Sequence, residues 1–346
     1  VGLSLLGSRI GSVLAFGLYA WAAWRIGGRA ERITVRWSLL FALLLCPFVL
    51  DFFSLFRGYG LQMAFWLVAL DGALRYAENR GSRALAQALT GLLLANAAVL
   101  SLVPLWAAMV AFCCSHILWQ RPAGWKGQAL LVTLLGAMPV ALAAWLSFEL
   151  KERGLLYHGA RDGFVEVSIG SLCRYVIGTE GSLIEWGMMG LMAGTLSIGA
   201  WLKRGDVLLF SALFWVDAVL RIAMALALGV NYPEDRAALH LVPLMILSAA
   251  FTADALSSRW KHAAWLILPL SFLPMRSMTH WFLGRDDRTL LWPEQQIGKA
   301  TALALHDHGV HEGRPIVVGA YHQTFLSVPY AMRVNGLEAV VPVSEG

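Results

Sequence analysis

The chain has 346 residues, of which 58% are hydrophobic and only 14% charged, with 15 Trp and a formal net charge of +5. A soluble globule of that length could not hide so much apolar surface, which excludes a soluble enzyme, a disordered chain and a nucleic-acid module. The surplus belongs in a bilayer, where one span needs about 20 mostly apolar residues.

Apolar runs fall near 2–24, 37–53, 59–75, 84–102, 104–120, 128–149, 183–202, 207–230, 238–256 and 263–281. The chain enters the first run from Val1 with no charged leader and no cleavage site, so that run is a span and not a signal peptide. The expectation is a fragment of a longer protein, with a further span upstream. Cys46, Cys113, Cys114 and Cys173 form no disulfide framework, since three of them lie inside apolar runs.

Alternate connections are basic. They carry Arg25, Arg29, Arg32 and Arg36, then Arg75, Arg80 and Arg83, then Arg121 and Lys126, then Lys203 and Arg204, then Arg259 and Lys261. Only Glu31, Glu78 and Asp206 oppose them there. The positive-inside rule predicts that these connections face the cytoplasm. The expected fold is therefore an all-α polytopic membrane protein of about ten transmembrane helices over residues 1–282. Residues 283–346 are expected to form a short extracytoplasmic C-terminal α/β segment. In it Pro293 opens a helix to about His306, followed by strands near 315–319 and 328–334.

The outer connections hold the unusual residues. In 150–182, Phe164, Val165, Ile169, Leu172 and Val176 are spaced for one face of a helix lying in the membrane interface. Asp51 leaves the second run, and Arg57-Gly58-Tyr59-Gly60 opens the third. A carboxylate there can take a proton or hold a metal, a guanidinium can hold a phosphate, and the glycines admit a ligand close to the backbone. Asn231-Tyr-Pro-Glu-Asp-Arg236 opens the ninth run. Glu234 and Asp235 suit the positive end of a helix, whereas Arg236 does not, and a phosphate bound by Arg236 and free N–H groups would resolve the conflict. These features make Asp51 the candidate catalytic residue. Arg57, Tyr59, Glu234, Asp235, Arg236 and His240 form the candidate substrate- or phosphate-binding set.

Asp217 and Arg221 lie four residues apart inside the eighth run, as a structural ion pair or as a polar cavity wall. Arg276 and His280 repeat the pattern in the tenth. His306, Asp307, His308 and His311 match no zinc spacing and read as a polar helix end. A divalent metal at the site is compatible with these residues and required by none of them. The chain contains no P-loop, GxSxG or HExxH motif.

The stretch Asp51-Phe-Phe-Ser-Leu-Phe-Arg-Gly-Tyr-Gly-Leu, and Tyr232-Pro-Glu-Asp-Arg-Ala-Ala-Leu-His-Leu-Val-Pro-Leu at the start of a later run, resemble bacterial GT-C membrane glycosyltransferases. This superfamily includes protein O-mannosyltransferases and lipid A aminoarabinose transferases. The resemblance covers about 50–280. It implies an enzyme of the bacterial inner membrane that works on the extracytoplasmic face. The sugar donor would be a polyprenyl-phosphate sugar drawn from the membrane lipid phase, and the acceptor a glycan, lipid or protein. It further implies that the usual catalytic carboxylate lies in an outer loop upstream of residue 1, with Asp51 as the acid visible here. Alternatives from the same residues are a lipid-linked oligosaccharide polymerase or ligase, a transporter or flippase, and a structural membrane subunit.

Overall fold

The structure is a computed structural model that describes residues 5–54, 58–121, 124–154, 159–179, 181–269, 271–272, 303–308, 318–320 and 343–345. The chain divides into two compact units, Gly11–Met278 and the chain ends Val1–Ile10 with Thr279–Gly346. The described residues are overwhelmingly helical.

In chain order the helices are α1 (Leu5–Gly27), α2 (Ile33–Leu44), α3 (Pro47–Ser54), α4 (Gly58–Asn79), α5 (Ser82–Ala98) and α6 (Val103–Gln120). Then come α7 (Trp125–Glu152), the helical segment α8 (residues 164–177), α9 (Ser182–Leu202), α10 (Gly205–Leu228) and α11 (Leu241–Ser257). Tighter 3₁₀ turns occupy Leu100–Leu102, Asp235–Ala238 and Lys261–Ile267. In the C-terminal unit β1 (Val318–Ala320) pairs in parallel with β2 (Val343–Glu345). The helix start expected at Pro293 and the strand expected at 328–334 lie outside the described residues.

Prolines shape the bundle. Pro47 cannot continue α2, because its ring removes an N–H and clashes with the preceding turn, so α3 leaves α2 at 52°. In α7 the turn Thr133–Ala137 widens to a π-helix just ahead of Pro139, which has no N–H to return to that turn.

Four helical segments among the described residues are long and apolar enough to cross a membrane: Leu100–Trp119, Trp125–Glu152, Ser182–Leu202 and Gly205–Leu228. The bent pair Ile33–Leu44 and Pro47–Phe53 makes a fifth if it counts as one span. By length and apolarity the described helices thus show four or five of the ten expected spans. α5 and α11 have 17 residues each, and α4 carries Asp71, Arg75 and Glu78. The last run opens as the 3₁₀ turn Lys261–Ile267, and its part beyond 272 is outside the described residues.

Burial explains the short helices. Every residue of α11 except Ala249 is buried, so this helix is wrapped by protein on all sides. The long helices α7, α9 and α10 instead show large apolar side chains outward, among them Leu142, Trp145, Leu183, Trp186 and Leu226. Such surfaces fit lipid and not water. α4 and α5 form a tight antiparallel hairpin. A methyl group on Gly72 would sit 2.6 Å from Ala88 N, and one on Gly91 would sit 2.8 Å from Ala69 N, so only glycine lets the two backbones approach this closely.

Cross-bundle bonds sort the connections onto two ends. At the basic end, buried Asp71 faces Arg25 at 3.2 Å and Arg75 at 3.4 Å, and accepts a hydrogen bond from Gln87 at 2.9 Å. Buried Asp254 accepts from the N–H groups of Glu31 and Arg32 at 3.1 and 3.0 Å. It thereby caps α2, whose own preceding residue Arg32 supplies no side-chain cap. Arg204 bridges Glu31 at 3.1 Å and Asp206 at 2.8 Å, and lies 3.7 Å from Asp254.

Candidate functional site

The opposite end collects α3, the start of α4, the turn Leu100–Leu102, α8 and the segment 229–240. Two of these connections are sewn together. Tyr232 N–H donates to Ala160 O at 2.9 Å, Asn231 donates to Gly159 O at 3.0 Å, and Arg161 reaches Asn231 Oδ1 at 3.2 Å. The Ser168 hydroxyl donates to Pro233 O at 2.6 Å. The Ser171 hydroxyl accepts from Asp235 N–H at 2.9 Å. α8 is wound wide, as π–α–π, over Phe164–Ile169, Gly170–Leu172 and Cys173–Ile177. Its apolar residues Phe164, Val165, Ile169 and Leu172 are buried in the protein, whereas the spacing alone predicted an apolar face turned to the lipid interface.

Asp235 is the chemically distinctive group of this segment. Its backbone is left-handed, with φ +50°, a conformation that Asp tolerates better than most residues. Its Oδ1 is shielded from solvent with no hydrogen-bond partner among the described residues. Burial pushes the Asp235 carboxyl above the usual carboxylate range, and the Glu234 charge adds to this, while Arg174 and Arg236 act against it. Asp235 thus lies in the field of one further carboxylate and two guanidiniums, with burial as the largest influence on its carboxyl.

Asp51 is buried on α3. On the same helix Phe48 stacks on Tyr175 of α8, with ring centroids 4.9 Å apart and planes 8° apart. The Tyr175 hydroxyl is shifted upward by burial and by the charges of Asp235 and Glu234. Tyr175 thus touches the Asp51 helix and lies in the field of the Glu234–Asp235 pair. Tyr59 packs against Phe52 at 5.1 Å. Arg57 lies outside the described residues, as do Arg276 and His280.

Two expectations are corrected here. Gly58 and Gly60 do bring backbone close, but to the chain itself and not to a ligand. A methyl group on Gly58 would sit 2.5 Å from Ala98 O, and one on Gly60 would sit 2.8 Å from Phe52 O. Arg236 does not oppose the dipole of its own helix, because α11 starts only at Leu241. Arg236 lies in the preceding 3₁₀ turn, where Asp235 N–H is taken by Ser171 and Ala237 N–H by Glu234 O. Neither of these two N–H groups is free to hold a phosphate.

Asp217, Arg221 and His240 form a buried network. Arg221 Nε donates to Asp217 Oδ2 at 2.6 Å, and its Nη2 donates to Ser101 O at 2.6 Å. His240 Nε2 lies 3.1 Å from both Asp217 Oδ2 and Arg221 Nη2, so its tautomer decides which of the two it bonds. Trp66 donates to His240 O at 3.0 Å, and Gln62 donates to Ser101 Oγ at 2.6 Å. The ion pair is structural in form: its charges neutralise one another and lock α4, α10 and the 99–102 turn to the base of the 231–240 segment.

Among the described residues no group of three or more His, Cys, Asp or Glu side chains could hold a metal ion. His306 and Asp307 lie 3.5 Å apart on an exposed helical turn. Sequence reasoning missed Asp71 and Asp254, whose signal was a lone carboxylate inside an apolar run. It also missed the roles of Ser168, Ser171, Arg174 and Tyr175, which only the folded loop brings to Asp235. No protein-family model, characterised protein or solved structure matches this chain.

Proposed function

We propose that the protein is an integral membrane glycosyltransferase of the bacterial inner membrane, with about ten passes and its basic end in the cytoplasm. It would transfer a sugar from a polyprenyl-phosphate donor to an extracytoplasmic glycan, lipid or protein. The observation that carries this reading is the polar cluster at the non-basic end. There Asp235, with its raised carboxyl pKa, sits under the influence of Arg174 and Arg236, one aromatic stack away from the helix of Asp51.

The chemistry asks for such a set. The acceptor oxygen attacks C1 of the sugar, the bond from C1 to the phosphate oxygen breaks, and the acceptor proton passes to a carboxylate. Polyprenyl phosphate leaves with the electron pair. Asp51 or Asp235 takes the proton, and Arg236, with Arg57, meets the charge growing on the phosphate. The lipid-linked donor reaches the cluster laterally, at headgroup depth.

The test is turnover in detergent. The purified protein should consume a polyprenyl-phosphate sugar and release polyprenyl phosphate, and Asp235→Asn or Asp51→Asn should abolish release while the protein stays folded. A transporter needs sealed compartments and makes no covalent product. Solute flux in vesicles with no polyprenyl phosphate released from any donor in a broad panel would replace the transferase reading.

A further inference from the structure

Four arginines line the junction of α1 and α2, and three of them meet a carboxylate or another acceptor of the protein. Arg25 faces Asp71 at 3.2 Å, Arg29 bonds Glu78, and Arg32 donates to Ser257 Oγ and to Ser257 O at 3.2 Å each. Arg36 is different. Its side chain has neither a carboxylate nor a hydrogen-bond acceptor among the described residues, and its Nε is shielded from solvent. Its guanidinium lies over the Trp24 indole, 4.2 Å from the ring centroid. Trp24 in turn meets Trp37 edge-on at 6.1 Å, and these rings are 49% and 46% exposed. Trp37 continues along α2 to exposed Phe41 at 6.2 Å.

A cation with one shielded donor and no anion is costly at membrane depth, and its place over the exposed Trp24 indole, which meets Trp37, shows what would relieve it. Arg36 is the fourth residue of α2, about 4–5 Å along the helix from Ile33 at the basic end. Trp rings settle at the headgroup level, where a phosphate is at hand. Below them, Trp37 and Phe41 offer an apolar track for an acyl chain.

We propose that Arg36, Trp24 and Trp37 form a binding site for the headgroup of one anionic phospholipid at the basic end of the bundle. The phosphate accepts from the Arg36 guanidinium, the indoles flank it, and one acyl chain follows Trp37 and Phe41. The site rests on the membrane placement of the chain and not on the transfer reaction, so either can fail without the other.

The experiment counts lipids retained by the purified full chain in native mass spectrometry, with phosphatidylglycerol or phosphatidylcholine titrated into detergent. The wild type should retain phosphatidylglycerol and release phosphatidylcholine. Arg36→Gln should weaken phosphatidylglycerol binding by about tenfold or more, the scale of one charge-assisted contact. Arg36→Lys should recover only part, since it lacks the planar fork. Trp24→Leu keeps the charge and removes its platform, so it too should weaken binding, and it carries the test if Arg36→Gln does not fold. Arg259 is the internal control: it lies 4.4 Å over exposed Trp201, but its own side chain is exposed. Arg259→Gln should behave as the wild type. Equal losses in Arg36→Gln and Arg259→Gln would mean diffuse attraction to a basic surface and would overturn the site. So would wild-type binding by Arg36→Gln.

Discussion

Arg221 reaches Asp217 across one turn of α10 at 2.6 Å, and the same guanidinium holds the carbonyl of Ser101 at 2.6 Å, 120 residues earlier in the chain. The pair therefore ties two distant hairpins together inside the bundle. Removing one partner strands the other. Asp217→Asn and Arg221→Leu should each cost about 3–5 kcal/mol, and Asp217→Leu with Arg221→Leu should cost much less than the two losses added. Thermal unfolding in detergent reads all the variants. Strict additivity would show that the pair is not coupled.

Asp235 gives a pH dependence with a defined sign. Its carboxyl pKa is raised in the folded protein, chiefly by burial. The folded state then holds a proton that the unfolded state has released. The contribution to stability is complete below the ordinary value of 3.8 and is lost as pH rises through the folded pKa. Asp235→Asn should flatten that part of the stability profile and raise stability near neutral pH relative to the wild type. Unfolding temperatures measured from pH 4 upward check this, and an unchanged slope would count against it.

Asp254 caps α2 from another helix. Asp254→Asn removes the charge that faces the α2 N-terminus and should cost about 1–2 kcal/mol. The effect should be local. Amide hydrogen exchange should quicken at Glu31 and Arg32, which donate to this carboxylate, before it changes at Ser168 or Ser171.

The α4–α5 hairpin should tolerate no side chain at its contact. Gly72→Val and Gly91→Val place carbon against the backbone of Ala88 and Ala69 and should each destabilise by about 1–3 kcal/mol. Gly190→Val, inside α9 where a methyl group meets nothing within 4 Å, is the matched control and should cost far less.

Sidedness is open to cysteine labelling. Ser82 and Ser258 are exposed at the basic end, whereas Thr179 and Ser182 are exposed at the other. With Cys introduced singly, a membrane-impermeant maleimide added to intact cells should reach Thr179→Cys and Ser182→Cys and should miss Ser82→Cys and Ser258→Cys. Labelling of both pairs from the same side would refute the topology.

The sequence by itself determined that the chain is helical and suited to a membrane, and which connections share an end. Both are one-dimensional properties: an apolar run reads as a span wherever it packs, and the charge of a connection does not depend on its neighbours. The i,i+4 pair Asp217–Arg221 was legible for the same reason, since helix geometry alone brings its members together. Tertiary structure decided which runs meet lipid and which are wrapped in protein. α11 and α7 are both strongly apolar, yet one is buried almost throughout and the other shows its leucines outward. It also decided the setting of the candidate site. Asp235 is a charged residue in a turn until Ser171 takes its N–H, Ser168 holds Pro233, and burial raises its pKa. Those partners come from a loop more than sixty residues upstream. Packing free energy, and no local pattern, brings the two loops together.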